Sequence, residues 1–455
     1  MPGQLLYYST NLKAEKVPFG EALLKGIAPD RGLYMPEFIP QFSKQDISGM
    51  TEKPYYQIAF EVIRQFLVNQ IEDDELLSLV KDAYNFPVPL EHVFERKYVM
   101  RLDQGPTASF KDFAARMMGR LIQYYLRKKN HNLLILTATS GDTGSAIANA
   151  FYGLENIRVV VLFPENEVTP RQRKQMTTLG GNVQIISLDA KFDDCQAMVK
   201  QAFADMKLDY LNLSSANSIN IGRLVPQIVY YFFAYVKLKR KENEEVIFSV
   251  PSGNFGDMMG GVLARKMGLP VKKYVIATNE NDEFPRLMQT GTYEMIVPSK
   301  NCISSAMNVG HPSNLARLVA LYQGFMDEKG NIFKAPDIEA MRKDMYAVSI
   351  NDKNTRQTII DSWSKYKLLL EPHGSVGWAG LIDYLKHNPS DNNADQLCIS
   401  LETAHPAKFP EHIRELINID PDLPESLNGI ESKPESFIHL NNNYDEFKQY
   451  LISNY

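Results

Sequence analysis

Cysteine is scarce in this 455-residue chain: Cys195, Cys302 and Cys398 are the only three, and they lie far apart. They make no CxxC pair, no metal-ligand spacing and no even set for disulfides. The expectation is a protein of the reducing cytoplasm, with no metal site. Long apolar runs are missing as well. The longest nearly apolar stretch, Ile228 to Val236, falls far short of the ~20 residues that span a bilayer. The opening residues, MPGQLLYYST, lack the basic start and apolar core of a signal peptide. Positive charge is not in excess: 49 Lys and Arg stand against 54 Asp and Glu, a net charge of −5. That removes the electrostatic footprint of a nucleic-acid or anionic-membrane partner. There is no HExxH, no GxSxG and no GK[ST], and the eight histidines show no metal spacing. These absences exclude a zincin, a hydrolase nucleophile elbow and a Walker nucleotide site.

What is present is regular. Apolar residues make up 44% and charged residues 23%, as in ordinary globular proteins, and the length allows two or three domains. Residues 1 to about 90 are mixed: a Pro- and Gly-rich stretch of short elements precedes helical patterns at PYYQIAFEVIRQFL and DDELLSLVKDAY. Further on, LLILTAT, IRVVVLF and NVQIISL read as buried parallel strands, each followed by a helical pattern. The helix after TPRQRKQMTTLGG's first residue has Thr169 as cap, Pro170 at its first position and glycines at its end. A further unit runs EVIFSV, a turn, DMMGGVLARKMG, then KKYVIAT. Alternating strands and helices predict an α/β protein with parallel sheets and right-handed crossovers.

In such sheets ligands bind where strands end and helices begin. TSGDTG, Thr139 to Gly144, sits at one such junction. It reads either as an anion cradle at a helix start or as a plain capped turn. PSGNFGD, Pro251 to Asp257, sits at another; its glycines allow successive N–H groups to face one phosphate, and it equally suits an ordinary turn. SANSINIGR, Ser215 to Arg223, clusters short polar side chains and a guanidinium ahead of an apolar helix. It suits a phosphate or carboxylate, or a polar cap with a surface arginine.

GPTASFKDF poses the sharpest question, because Lys111 falls at the start of a helix, where the dipole opposes its charge. A lysine that must act as a nucleophile needs its free amine, and positive potential favours that form. The competing reading is a lysine that snorkels to solvent.

GPTASFKDF, TATSGDTGSA, SANSINIGR, VPSGNFGD, EPHGSVG and TAHPAKFP occur in an order and spacing that resemble threonine synthase in its longer bacterial and fungal form. The likeness runs from YYSTN near residue 8 to about residue 415. It implies a fold-type II, tryptophan-synthase-β-like enzyme that uses pyridoxal 5′-phosphate, with two three-layer parallel-sheet domains and a small N-terminal domain. The implied divisions are an N-terminal domain at 1–90, a large cofactor-binding domain at 91–110 and 211–415, a small inserted domain at 111–210, and a helical extension at 416–455. The resemblance makes Lys111 the catalytic lysine that carries the cofactor as a Schiff base. Gly253, Asn254, Phe255 and Gly256 would cradle the cofactor phosphate, Thr403 would face the pyridine nitrogen, and Asp142 would lie near the ring hydroxyl. Ser140, Gly141 and Thr143 would hold the substrate carboxylate. Ser218, Asn220 and Arg223 would hold the substrate phosphate, with help from Thr143 and Lys111.

The implied reaction turns O-phospho-L-homoserine and water into L-threonine and phosphate, the last step of threonine biosynthesis. The alternative on the same scaffold is a phospholyase that yields an α-keto acid. A monomer or homodimer acting on a small molecule is expected. Two positions depart from the family's usual pattern, with Ser109 in place of Ala and Glu402 ahead of Thr403. A third is Asp142, where many fold-type II relatives carry Asn: ionised, it would repel a carboxylate, so it must be protonated, paired or turned away.

Overall fold

The strand Leu133–Ala138 is buried at every position, as its unbroken apolar run predicts. The computed structural model describes residues 4–139 and 141–455. Ser140, one of the expected carboxylate contacts, lies outside the described residues. Leu133–Ala138 is flanked in a five-stranded sheet by Ile157–Pro164 and Leu213–Ser214, and Val183–Leu188 and Ile438–Leu440 extend it. Every pairing in that sheet is parallel. The segment 416–455, expected to be helical, thus also contributes a strand to the small sheet before its helix Tyr444–Asn454. Leu213–Ser214, expected in the large domain, pairs with the small sheet instead.

The second sheet has six strands in the order Met345–Ser349, Val271–Thr278, Val246–Pro251, Leu397–Glu402, Lys97–Arg101 and Leu90–Phe94. All pairings are parallel except the last, a hairpin edge. Sequence-distant strands therefore become neighbours: Leu397–Glu402 lies between Val246–Pro251 and Lys97–Arg101. Residues 4–90 carry a three-stranded antiparallel sheet and the helices Tyr55–Arg64 and Asp73–Ala83. They are not a detached module. Tyr55 packs at a tilt against Phe113 and edge-on against Phe233, with ring centroids 5.5 and 5.2 Å away, so one apolar core runs through both parts. Burying a ring such as Phe113 contributes roughly 2–3 kcal/mol. No helix among the described residues is long and apolar enough to cross a membrane.

Local signals hold where a side chain meets its own backbone. Thr169 and Gln172 form a reciprocal capping box at Pro170–Thr177, a device worth about 1 kcal/mol. All three cysteines are buried and free.

Candidate active site

Four loops leave the carboxyl ends of parallel strands and converge. The loop from Arg101 leads to Lys111, the first residue of the helix Lys111–Lys129. This loop is wound around Asp112, whose carboxylate accepts the Thr107 N–H (2.9 Å) and hydroxyl (2.6 Å). A Cβ at Gly105 would lie 2.4 Å from that carboxylate, so only glycine fits there. The loop is also stitched to the end of the neighbouring strand. Ser109 bridges Ala404, and the Phe110 N–H donates to the Thr403 carbonyl at 2.9 Å. These bonds hold Lys111 beside Thr403, which is buried.

Lys111 does not snorkel. Its side chain is 13% exposed, with Nζ 4.9 Å from the Phe110 ring centroid and 4.0 Å from Asp142 Oδ2. Burial lowers its pKa, Lys408 and Arg223 lower it further, and Asp142 opposes them. A buried amine near two cations is poised to lose its proton, as a carbonyl-trapping lysine requires.

The loop after Leu133–Ala138 turns at Gly141, with φ of 136°. A Cβ there would meet the Gln172 side chain at 2.6 Å, so conformation and space both require glycine. The Thr139 hydroxyl accepts the N–H groups of Gly141 (2.9 Å) and Gly144 (2.8 Å). Asp142 opens the helix Asp142–Phe151, with Thr143 next to it. Its Oδ1 lies 2.5 Å from Lys408 Nζ and accepts from Gln172 Nε2 at 2.9 Å. Burial alone would raise the Asp142 carboxyl, but Lys408 and Lys111 outweigh it and hold the group well below the usual carboxylate range. Asp142 is therefore ionised and paired. Its partner, Lys408, sat unremarked in TAHPAKFP: a lysine at that sequence position carries no local sign of the carboxylate it meets.

The loop after Val246–Pro251 runs through Gly253 to the helix Gly256–Lys266, with Phe255 in the left-handed region at φ 62°. Among the described residues, the N–H groups of Gly253, Asn254, Phe255 and Gly256 have no protein acceptor. Such a run of free donors at a helix start fits a phosphate. A Cβ at Gly253 would lie 3.0 Å from Met307 Cα.

Ser218 and Arg223 adjoin this cradle. The Ser218 hydroxyl lies 3.3 Å from that of Ser313, which donates to Asn254 Oδ1 at 3.2 Å. Arg223 is buried, donates from Nη1 to the Ala216 carbonyl at 2.7 Å, and among the described residues leaves Nε without a partner. Burial pulls its pKa down to about 10, against the attraction of Asp112 and Tyr230. A buried guanidinium with an orphaned donor and no carboxylate on it fits an anionic ligand. Asn220 differs from expectation. Its Oδ1 caps the Gly222 N–H (2.9 Å), and its Nδ2 donates to the carbonyls of Leu23 (2.9 Å) and Ser215 (3.1 Å). Every amide hydrogen is spent on backbone, so Asn220 shapes the turn and has no donor left for a ligand.

Two further groups place carboxylates close enough to Lys111 to act on it by charge. Asp257 Oδ1 accepts the hydroxyls of Tyr230 (2.6 Å) and Tyr231 (2.7 Å), while its Oδ2 is orphaned. His373 Nε2 accepts the Ala306 N–H at 3.0 Å, which leaves Nδ1 to donate to Glu371 at 2.5 Å. Glu402 lies beneath, accepting the Glu371 N–H at 2.9 Å; burial and the neighbouring Glu371 push its carboxyl well above the ordinary range.

Comparison with known proteins agrees with this geometry. Residues 6–84 match the family described as the threonine synthase N terminus, 87–401 the pyridoxal-phosphate dependent enzymes, and 379–451 the threonine synthase C-terminal family. Threonine synthase of Haemophilus influenzae is 38% identical over 98% of this chain and 99% of its own length. That of Escherichia coli K12 is 37% identical over 91% of each. Among solved structures, a pyridoxal-phosphate-bound threonine synthase from Brucella melitensis superposes with a TM-score of 0.91 at 35% identity, covering 98% of this chain and 99% of that one. The yeast threonine synthase structure gives 0.90 at 30% identity, covering 98% of both chains. Maize serine racemase, at 15% identity and a TM-score of 0.53, shares the fold alone. On the strength of its sequence matches along almost its full length, this chain belongs to the threonine synthase family of pyridoxal-phosphate-dependent, fold-type II enzymes.

Proposed function

We propose that the enzyme converts O-phospho-L-homoserine and water to L-threonine and phosphate, using the residues just described. The observation that carries this reading is Arg223, a buried guanidinium that among the described residues has an orphaned Nε and no carboxylate partner, five residues after Ser218. The cradle at Gly253, Asn254, Phe255 and Gly256 would hold the cofactor phosphate, Lys111 would bind the cofactor, and Thr403 would offer it a neutral hydroxyl. Bound pyridoxal phosphate supplies the electron sink that makes Cα and Cβ protons removable.

The chain does the rest. The Gly141 N–H is spent on the Thr139 hydroxyl, so Thr143 would present the helix start to the substrate carboxylate. Arg223 and Ser218 bind the substrate phosphate and stabilise charge on its bridging oxygen as it leaves Cγ. Lys111 Nζ, as a free amine, would be the base for the protons at Cα and Cβ. Cγ, having lost the phosphate, gains one proton; water then adds its oxygen at Cβ, and Cα is reprotonated. A reducing compartment suits the three buried thiols. The test is product analysis with O-phospho-L-homoserine in deuterated water. Equimolar threonine and phosphate, with deuterium at Cα and Cγ, is the expected result. Phosphate accompanied by an α-keto acid would replace this reading with a phospholyase.

A further inference from the structure

Lys408 is fully buried, and among the described residues its ammonium has two partners: Asp142 Oδ1 at 2.5 Å and the Thr107 carbonyl at 2.9 Å. A buried ammonium is costly unless it is paired, so this one has a task at its location. We propose that Lys408 is a positioning residue for substrate binding: it holds Asp142 as a closed ion pair, so that the incoming carboxylate meets the N–H groups of the helix start instead of a free negative charge. The inference rests on the reading of the helix start at Thr143 as the carboxylate contact.

The charged groups facing Asp142 come from two elements. Lys408 approaches from the turn Pro406–Lys408, and Lys111 from its own helix, 4.0 Å from the other carboxylate oxygen. Gln172, on a third element, adds a neutral donor to Oδ1 at 2.9 Å. Lys111 is committed to the cofactor and exchanges its proton during turnover, so it cannot serve Asp142 throughout. Lys408 takes no part in that chemistry and is the cation that stays. It also joins Asp142 to Thr107, in the loop that carries Lys111, so one ammonium aligns the carboxylate-binding and lysine-bearing loops.

Removing Lys408 transfers its work to a proton. In Lys408→Met, Asp142 admits the substrate carboxylate only when protonated. KM for O-phospho-L-homoserine should rise at least about tenfold, as for loss of a charge-assisted contact, with kcat changed far less. The variant's kcat/KM should fall as pH rises, because Asp142 then ionises without a partner. The decisive arm is the double variant Lys408→Met/Asp142→Asn, in which a neutral pair replaces the charged one. KM should return to within about threefold of the parent, well inside the tenfold effect of the lost contact, and the added pH dependence should vanish. An unchanged KM and pH profile in Lys408→Met, or a double variant as impaired as the single, overturns the proposal. Should Lys408→Met fail to fold, the double variant decides alone, and a folded double variant with a strongly raised KM overturns it. Thr143→Val separates the two levels. If it raises KM while Lys408→Met does not, only the role of Lys408 fails; if neither moves KM, the carboxylate site itself lies elsewhere.

Discussion

Arg223 points Nη1 at the carbonyl oxygen of Ala216, 2.7 Å away, and among the described residues leaves Nε buried without a partner. A charge-assisted arginine contact is worth roughly 1.5–3 kcal/mol. Arg223→Ala should therefore cut kcat/KM for O-phospho-L-homoserine at least about tenfold, with part of the loss in kcat, because the phosphate leaves as charge grows on its oxygen. Cofactor affinity and its visible absorbance should hold. A variant that loses cofactor while treating the substrate normally would move Arg223 to the cofactor site.

Lys111→Ala should abolish turnover and covalent capture of the cofactor, since neither Thr403 nor Asp142 can form the bond. Borohydride reduction followed by peptide mapping checks this. Cofactor fixed to Lys408, which shares Asp142 with Lys111, would show that the two lysines had been assigned in the wrong order.

Gly253→Ala tests the phosphate cradle. Its new Cβ would press on Met307 Cα at 3.0 Å and the Ala306 carbonyl at 3.2 Å. Ala306 is itself held by His373, so the cradle has to shift rather than its neighbour. Titration of the apo-protein should show cofactor affinity weakened at least about tenfold, the scale of one misplaced charge-assisted contact, while the melting temperature falls only a few degrees. Equal affinity in the folded variant would make the loop an ordinary turn.

Asp257 carries a pH dependence of known sign. Burial lifts its carboxyl to about 6, and the hydroxyls of Tyr230 and Tyr231 only partly offset this. Its folded pKa exceeds its unfolded one, so its contribution is complete in acid and is lost as pH rises from about 4 through 6. Ionised, it costs roughly 3 kcal/mol. Asp257→Asn should raise the melting temperature at pH 7 and flatten its pH dependence between 4 and 6. A curve of unchanged slope would show that Asp257 is already solvated or paired.

The buried thiols give a quick check on the fold. Burial pushes Cys195 and Cys398 up to about 12. Neither should react with a thiol reagent at pH 8 until denaturant is added. Rapid labelling of the native protein would contradict the packing of both residues.

By itself the sequence determined whatever is encoded within a few residues. The strand Leu133–Ala138, the capped helix from Pro170 and the helix opening at Lys111 were all legible, because apolar period, cap and turn residues act on their own backbone. The motif set also pointed to the family. Tertiary structure alone decided which loops meet. Val246–Pro251, Leu397–Glu402 and Lys97–Arg101 lie side by side although up to about 300 residues separate them, and that order sets Gly253, Thr403 and Lys111 around one site. It also decided the charges. Asn220 is spent on backbone, Arg223 lacks a counter-ion among the described residues, and Asp142 is ionised because Lys408, 266 positions later, is buried against it. A carboxylate's state depends on its surroundings in space, which desolvate it and supply its partner, and local sequence encodes neither.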